Sequence, residues 1–428
     1  MLLYLLWVLS SAEPKLAEVT TGWEHAFEAA EKVVKEVKAG RISREDFDSL
    51  VRALCERVFG EAIRIGLEER FKYAFGVELR ELVRVGKDRA RVEVYGKCAR
   101  VRLTIGDSIY VEELDLCVEE LLKNTKVEVP RKNYLDVRYL DGKHPGRKRI
   151  TSAVDIVMDP VLSLLAIHIA TEFESFLFTP SFITSMLPDS RAGITRTLLK
   201  PYLPPSLLGG VLGVDQEYVR LYYALAELLS KNPEVLELVK PLLEELGVSV
   251  DVRFESGVYN VYAKTWSGKS LPIAMAPSGV RETLSAVLAL LATGEWPELG
   301  LLNVFIEEPE AHLHPKAQRA LARVIATSVN FGKRVLITTH SDYLVSELNN
   351  LILLSRLPEE KLGVLGYSKA EVLSPEKVAA YLVRTEGDKA VVERLHVTED
   401  GIPEEEFSKV AEELLGERSR IYEVLEKL

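Results

Sequence analysis

Residues 301–344 read LLNVFIEEPEAHLHPKAQRALARVIATSVNFGKRVLITTHSDYL, and two apolar runs inside this stretch decide the fold. The first, 301–306, is too short for a helix and ends in Glu307 and Glu308, with Pro309 behind them. Proline lacks the amide that a ladder needs, so the strand stops there. The second run, 335–339, follows a helix-like segment and ends in His340. Apolar runs without alternation, joined through a helix, predict two neighbouring parallel strands buried on both faces. In open parallel sheets the chemistry lies beyond the carboxyl ends of the strands. Glu307, Glu308 and His340 all fall at that edge.

A site that transfers a phosphoryl group needs a metal clamp, an oriented water and groups that face the moving phosphate. Glu307 suits the metal, because hard cations take oxygen ligands. Glu308 suits alignment of the attacking water, and His340 suits contact with the phosphate. The plainer alternative is a buried strand that ends in solvated acids beside a satisfied histidine.

IEEPEAHLHP at 306–315 resembles the Walker B strand and D-loop of ABC-type ATPases, in the SMC/RecF/OLD-like branch of AAA-family proteins. ITTHSDYL at 337–344 resembles the H-loop of that branch. The resemblance implies an α/β fold: a P-loop NTPase-like, mainly parallel sheet flanked by helices, with an antiparallel β subdomain and a helical insertion. It makes Glu307 the Walker B acid on Mg²⁺, Glu308 the catalytic glutamate and His340 the switch histidine. Residues 311–314 become the D-loop, which brings His312 and His314 to the nucleotide. Glu307 stands where many relatives carry Asp. His312 and His314 as a metal pair lack an evident third ligand.

APSGVRET at 276–283 opens a helix expected to run to Thr293, with Gly294 as its stop. A hydroxyl and free amides at a helix start suit an anion. The segment resembles a degenerate ABC signature loop, with Pro277 in place of the first serine. That resemblance gives Ser278, Gly279 and Arg281 contact with the γ-phosphate of ATP held by a partner subunit, hence a homodimer glued by nucleotide. A plain helix cap explains the same residues.

The chain of 428 residues has 54 Lys and Arg against 65 Asp and Glu, a net charge of −11. That acidity gives no general attraction to nucleic acid, so any such contact must be local. Cys55, Cys98 and Cys117 form no CxxC and are odd in number, which predicts reduced thiols in a cytoplasmic protein. Glutamine occurs only at Gln216 and Gln318, a bias that suits a thermophile. MLLYLLWVL at 1–9 is about half the length that spans a bilayer and lacks a positive leader, so a buried helix and no membrane association are expected. Relatives carry such a helix directly after the phosphate-binding loop, so the resemblance implies that the first strand and Walker A loop are absent from this chain. AKTWSGKS at 263–270 approaches the P-loop pattern, but the LPIAMAP that follows reads as a strand, which makes SGK a hairpin turn.

Residues 21–81 read as helical, with Ser43 as an N-cap. Residues 89–111 alternate as an antiparallel meander. Residues 131–149 carry seven basic and two acidic residues with Tyr134 and Tyr139 interleaved, the one stretch suited to DNA or RNA, though a solvated loop is the favoured reading. A helix is expected over 159–178 with Pro160 in its first turn, and Arg191 in LPDSRAG resembles an arginine loop. Residues 209–246 read as helical, 248–254 and 258–263 as a hairpin, 351–354 as a strand, 380–397 as a hairpin and 404–428 as a closing amphipathic helix. TEGDKAVVERL at 385–395 has the wrong spacing for the acidic opening of a TOPRIM nuclease. The expected division is 1–205, a helical insertion 206–247, a core 248–355 and a tail 356–428. The leading expectation is a Mg²⁺-dependent ATPase, with weak nucleotide binding by this chain where the Walker A loop is absent; the alternatives are a degenerate non-hydrolysing interaction or nucleic-acid-binding subunit that has lost ATP binding with its Walker A loop, and an OLD-like nuclease.

Overall fold

The computed structural model describes residues 2–12, 14–83, 87–139, 143–173, 184–197, 213–255, 257–291, 303–387 and 389–426. The chain falls into two units, residues 1–184 with 210–214 and residues 185–209 with 215–428.

The first unit opens with the helix Leu2–Ser11, in which Leu3, Trp7, Val8 and Leu9 are buried, as its all-apolar sequence requires. Ser43 caps Arg44–Leu54 by accepting the Asp46 amide, and the rod continues through a wider turn into Gly60–Phe75. The meander is β1 (Ala90–Tyr95), β2 (Arg100–Ile105) and β3 (Ile109–Asp115), all antiparallel. A second antiparallel sheet holds β4 (Thr125–Arg131), β5 (Tyr134–Tyr139) and β6 (Lys143–Arg149). The basic stretch 131–149 is therefore a pair of strands rather than a loop. Leu135, Asp136 and Val137 are all buried in β5, so that strand is covered on both faces at its centre.

The helix expected from 159 begins earlier: Ser152 and Asp155 form a reciprocal capping box, and the rod passes through Val157–Val161 into Leu162–Glu172. Pro160 lies inside it, in a widened turn where the missing amide is tolerated. Residues 174–178 lie outside the described residues. The thiol expectation is overturned as well. Cys98 and Cys117 form a disulfide with Cα atoms 6.0 Å apart, and Cys55 alone is a free buried thiol. The antiparallel register pairs Arg100 with Asp115, so positions two residues further out on each side face one another.

In the second unit β7 (Thr184–Leu187) lies in a sheet with two later strands. The antiparallel set β8 (Val248–Glu255), β9 (Val258–Thr265) and β10 (Ser270–Pro272) comes between them in sequence. Residues 263–270 thus form a strand end, a turn and another strand, with no helix to cradle phosphate. The strand expected through Pro272 ends there and a short 3₁₀ turn, Ile273–Met275, follows. β11 (Asn303–Glu307) and β12 (Arg334–Thr338) pair in parallel, Glu307 opposite Thr338, and the sheet order is β12-β11-β7. The helix Pro315–Asn330 makes the crossover. β11 is buried up to Ile306, whereas β12, at the edge, is only half-buried, so the expectation of two fully covered strands holds for one of them.

Ser341 caps the helix Asp342–Leu353, and the run 351–354 belongs to its end rather than to a strand. Leu351 and Ile352 extend the buried stripe that begins at Leu344, Val345 and Leu348, so helical spacing overrides a short apolar run. β13 (Ala380–Glu386) and β14 (Lys389–Leu395) form the expected hairpin. Glu405–Leu425 is helical, yet none of its residues is buried, and Leu414, Leu415 and Ile421 stand exposed. It does not close the unit as its amphipathic sequence suggested.

Candidate functional site

The backbone sets the geometry before any side chain does. The Glu308 amide continues the β11 ladder by donating to the Thr338 carbonyl at 3.0 Å. Glu308 itself sits at φ 43°, a left-handed conformation uncommon for a residue with a side chain. That kink turns the chain out of the sheet at the moment the acids appear. Ala311 and Leu313 donate back to the carbonyls of Glu308 and Glu310, which winds 308–313 into tight turns, and His312 takes a second positive φ of 60°.

From the end of β12, His340 extends its ring to the same place. Its Nε2 lies 3.7 Å from Oε1 of Glu308, with the imidazole 90% exposed and the carboxylate side chain 43% exposed. Both groups are thus held on one rim and open to a ligand. Glu307, half-buried at the last position of β11, accepts the Asp189 amide at 3.4 Å. Mg²⁺ is held by one or two carboxylates and completed by phosphate oxygens and water. A lone rim carboxylate such as Glu307 fits that mode. Among the described residues the only grouping of three or more possible ligands is Cys98, Cys117 and Glu172, where the sulfurs are bonded to each other, and neither His312 nor His314 belongs to it.

Ser278 and Gly279 begin the helix Ser278–Leu291, which packs on β11. A Cβ on Gly279 would lie 2.7 Å from the His312 carbonyl oxygen, so only glycine lets the two loops touch. His312 Nε2 lies 3.4 Å from Oε1 of Glu282, in the first turns of that helix. His314 caps Pro315–Asn330, its Nδ1 accepting the Lys316 amide at 3.4 Å. Arg281 folds back, donating to the carbonyls of Ala276 at 2.7 Å and Ala274 at 3.3 Å. Glu308 and His340 thus meet at the strand ends and Gly279 touches the His312 backbone, while His314 and Arg281 are engaged by their own chain.

Three side chains that the sequence reading did not assign complete the rim. Glu310, 7% exposed, accepts the Thr339 hydroxyl at 2.5 Å and the His340 amide at 3.0 Å, which fixes the backbone that carries the imidazole. Arg191 is fully buried, and burial pulls its pKa down from the usual guanidinium range. Glu282 is 2% exposed, and burial pushes its carboxyl up. For Glu310 the available signal was a third acid in EEPE, too apolar in its flanks to be a solvated one.

Residues 220–345 match the family model of the AAA ATPase domain. That match covers the segment that carries the rim. Among solved structures the chain is similar to an SMC head domain with an extended coiled coil bound to the C-terminal domain of ScpA, derived from Pyrococcus furiosus, at 11% identity over 92% of this chain and 90% of that one, TM-score 0.34. It is also similar to an SmcHead bound to the C-winged helix domain of ScpA, at 13% identity over 70% and 68%, TM-score 0.34. A chain described under ATP-driven dimerization and DNA-stimulated activation of SMC ATPases matches at 14% over 46% and 96%, TM-score 0.29. Likenesses of that size carry no weight for function. No curated protein matches. Among the described residues no helix is long and apolar enough to cross a membrane.

Proposed function

We propose that this protein binds and hydrolyses ATP at the rim formed by β11 and β12. The observation that carries the reading is the convergence of Glu308 and His340 to 3.7 Å beyond the ends of two adjacent parallel strands. The family match over 220–345 supports it.

Hydrolysis transfers the γ-phosphoryl group to water. The water oxygen forms a bond to γ-phosphorus, the bond to the β–γ bridging oxygen breaks, and ADP leaves with that electron pair. Glu308 orients the water and takes its proton, and His340 donates toward the γ-phosphate oxygens where charge gathers. Glu307 would hold Mg²⁺, which supplies charge neutralisation on the phosphate oxygens. Ser278 and Gly279, at a half-buried helix start, suit a phosphate of a second copy's nucleotide, so ATP would join two chains.

The decisive experiment uses the full-length natural protein. Mg²⁺-dependent release of phosphate from ATP should appear, and Glu308→Gln should lower it by about two to four orders of magnitude while an ATP-dependent dimer accumulates in light scattering. Neither nucleotide binding nor turnover in the wild type would favour a non-hydrolysing subunit instead.

The basic hairpin offers a weaker contact. Arg131 stacks on Tyr134 at 3.8 Å, but Asp136 pairs with Arg138 at 2.8 Å and Arg147 at 3.9 Å, and Lys148 pairs with Asp159 at 2.7 Å. Cations already partnered within the fold favour a solvated charged face over a DNA or RNA surface.

A further inference from the structure

Glu308 can aim its carboxylate only if its own backbone is held, and a left-handed φ on a residue with a side chain persists only where neighbours over-determine it. One neighbour stands out. Arg191, the first residue of the helix Arg191–Thr197, has no exposed surface. Its Nη1 donates to the Glu307 carbonyl at 2.6 Å and the Pro188 carbonyl at 3.0 Å. Its Nη2 donates to the Glu308 carbonyl at 2.7 Å, and its Nε to the Glu282 carbonyl at 3.3 Å.

The two short bonds fall on the peptide units before and after the Glu308 Cα. Because those peptides define φ and ψ of Glu308, a guanidinium that grips both sets where the side chain points. The amide of Glu308, bonded to Thr338, is the third fixed point. A planar fork does this where a lysine ammonium would act as a single movable point charge.

The guanidinium is in turn steered by Glu282. Its Oε2 lies 3.6 Å from Nη2 and takes no hydrogen bond among the described residues, while Oε1 faces His312 at 3.4 Å. A buried carboxylate with an unused oxygen, set between a buried arginine and an exposed loop histidine, is expensive to keep for stability alone. It connects the Ser278–Leu291 helix and the 308–313 turns to the clamp on Glu308.

We propose that Arg191 and Glu282 are positioning residues for Glu308: Glu282 holds the Arg191 guanidinium, and Arg191 fixes the backbone that aims the catalytic carboxylate. Arg191 thereby acts inside the fold and not as an arginine that reaches nucleotide. This rests on the hydrolytic reading of the rim.

The test combines kinetics with amide exchange in the full-length protein. Glu282→Gln keeps the shape and should lower kcat about tenfold with KM for ATP unchanged within about twofold, a loss confined to the transition state. Arg191→Lys should do the same or more. In a Glu308→Gln background, Glu282→Gln should remove nothing further, because residues that act as a unit are non-additive. Hydrogen exchange in the peptide 303–314 should quicken in both single variants. Wild-type kcat in Glu282→Gln and Arg191→Lys, or the same tenfold loss persisting without Glu308, would overturn the inference. A wild type with no turnover would sink the hydrolytic reading instead, and unchanged exchange over 303–314 would then dispose of the clamp separately.

Discussion

The rim beyond β11 and β12 and the β5–β6 hairpin both gather charge, and they hold it in opposite ways. On the hairpin, Arg138, Arg147 and Lys148 keep their charged heads about half in solvent, although the first two share the buried Asp136, and a cation so exposed gains little from its pair. At the rim, the exposed imidazole and carboxylate stand on backbone that buried groups hold: Glu310 under His340, and Arg191 with Glu282 under Glu308. Charge that performs chemistry needs a rigid, desolvated support, and charge that keeps a surface wet does not. The contrast also separates exposure from importance, since His340 is among the most open side chains of the rim.

Substitutions test this contrast from its strong end to its weak one. Glu308→Gln should lower turnover by about two to four orders of magnitude, the usual worth of a positioned base, read by phosphate release at saturating ATP. A modest change would make the rim as inert as the hairpin. Arg191→Met strands a buried carboxylate and should destabilise the fold by about 3–5 kcal/mol, read by urea denaturation. Cys98→Ser removes the covalent tie across the meander and should cost about 3 kcal/mol in non-reducing buffer. Equal denaturation midpoints for wild type and variant would argue that the thiols are free in solution.

Smaller effects belong to surface features. Ser152→Ala removes one half of the capping box and should cost about 1 kcal/mol. The Asp155 carboxyl is held down to about 2, first by the Thr151 hydroxyl and then by neighbouring amides. A depressed carboxylate stabilises above its ordinary pKa, and that contribution fades as pH falls through about 2. A Thr151→Val deficit, which removes that hydroxyl, should therefore shrink in strong acid, as calorimetry between pH 5 and pH 2 would reveal. Arg147→Ala should change stability by less than about 0.5 kcal/mol and leave turnover alone. A large fall in either would mean that the hairpin resembles the rim after all.

Much of the rim was legible because its information is local. A short apolar run that ends in two acids before a proline, and another that ends in histidine, specify strand ends without knowledge of the rest of the chain. The same reading failed where a local pattern admits two periods, as at 351–354, where four apolar residues suit a strand or the last turn of a helix. Pro160 misled for a related reason: a widened turn absorbs a proline that an ideal helix rejects.

By itself, then, the sequence determined the parallel pair, the carboxylates and imidazole at its ends, the cap at Ser43 and the hairpins. Each depends on residues within a few positions of one another. Tertiary structure alone decided that Cys98 meets Cys117, because a register shift between Arg102 and Leu103 moves the ladder by one residue and sets which positions face each other. It alone decided that Arg191 lies beneath Glu308, 117 residues away along the chain. Burial turns such distant groups into obligatory partners, since a charge without water must find its hydrogen bonds wherever the fold supplies them.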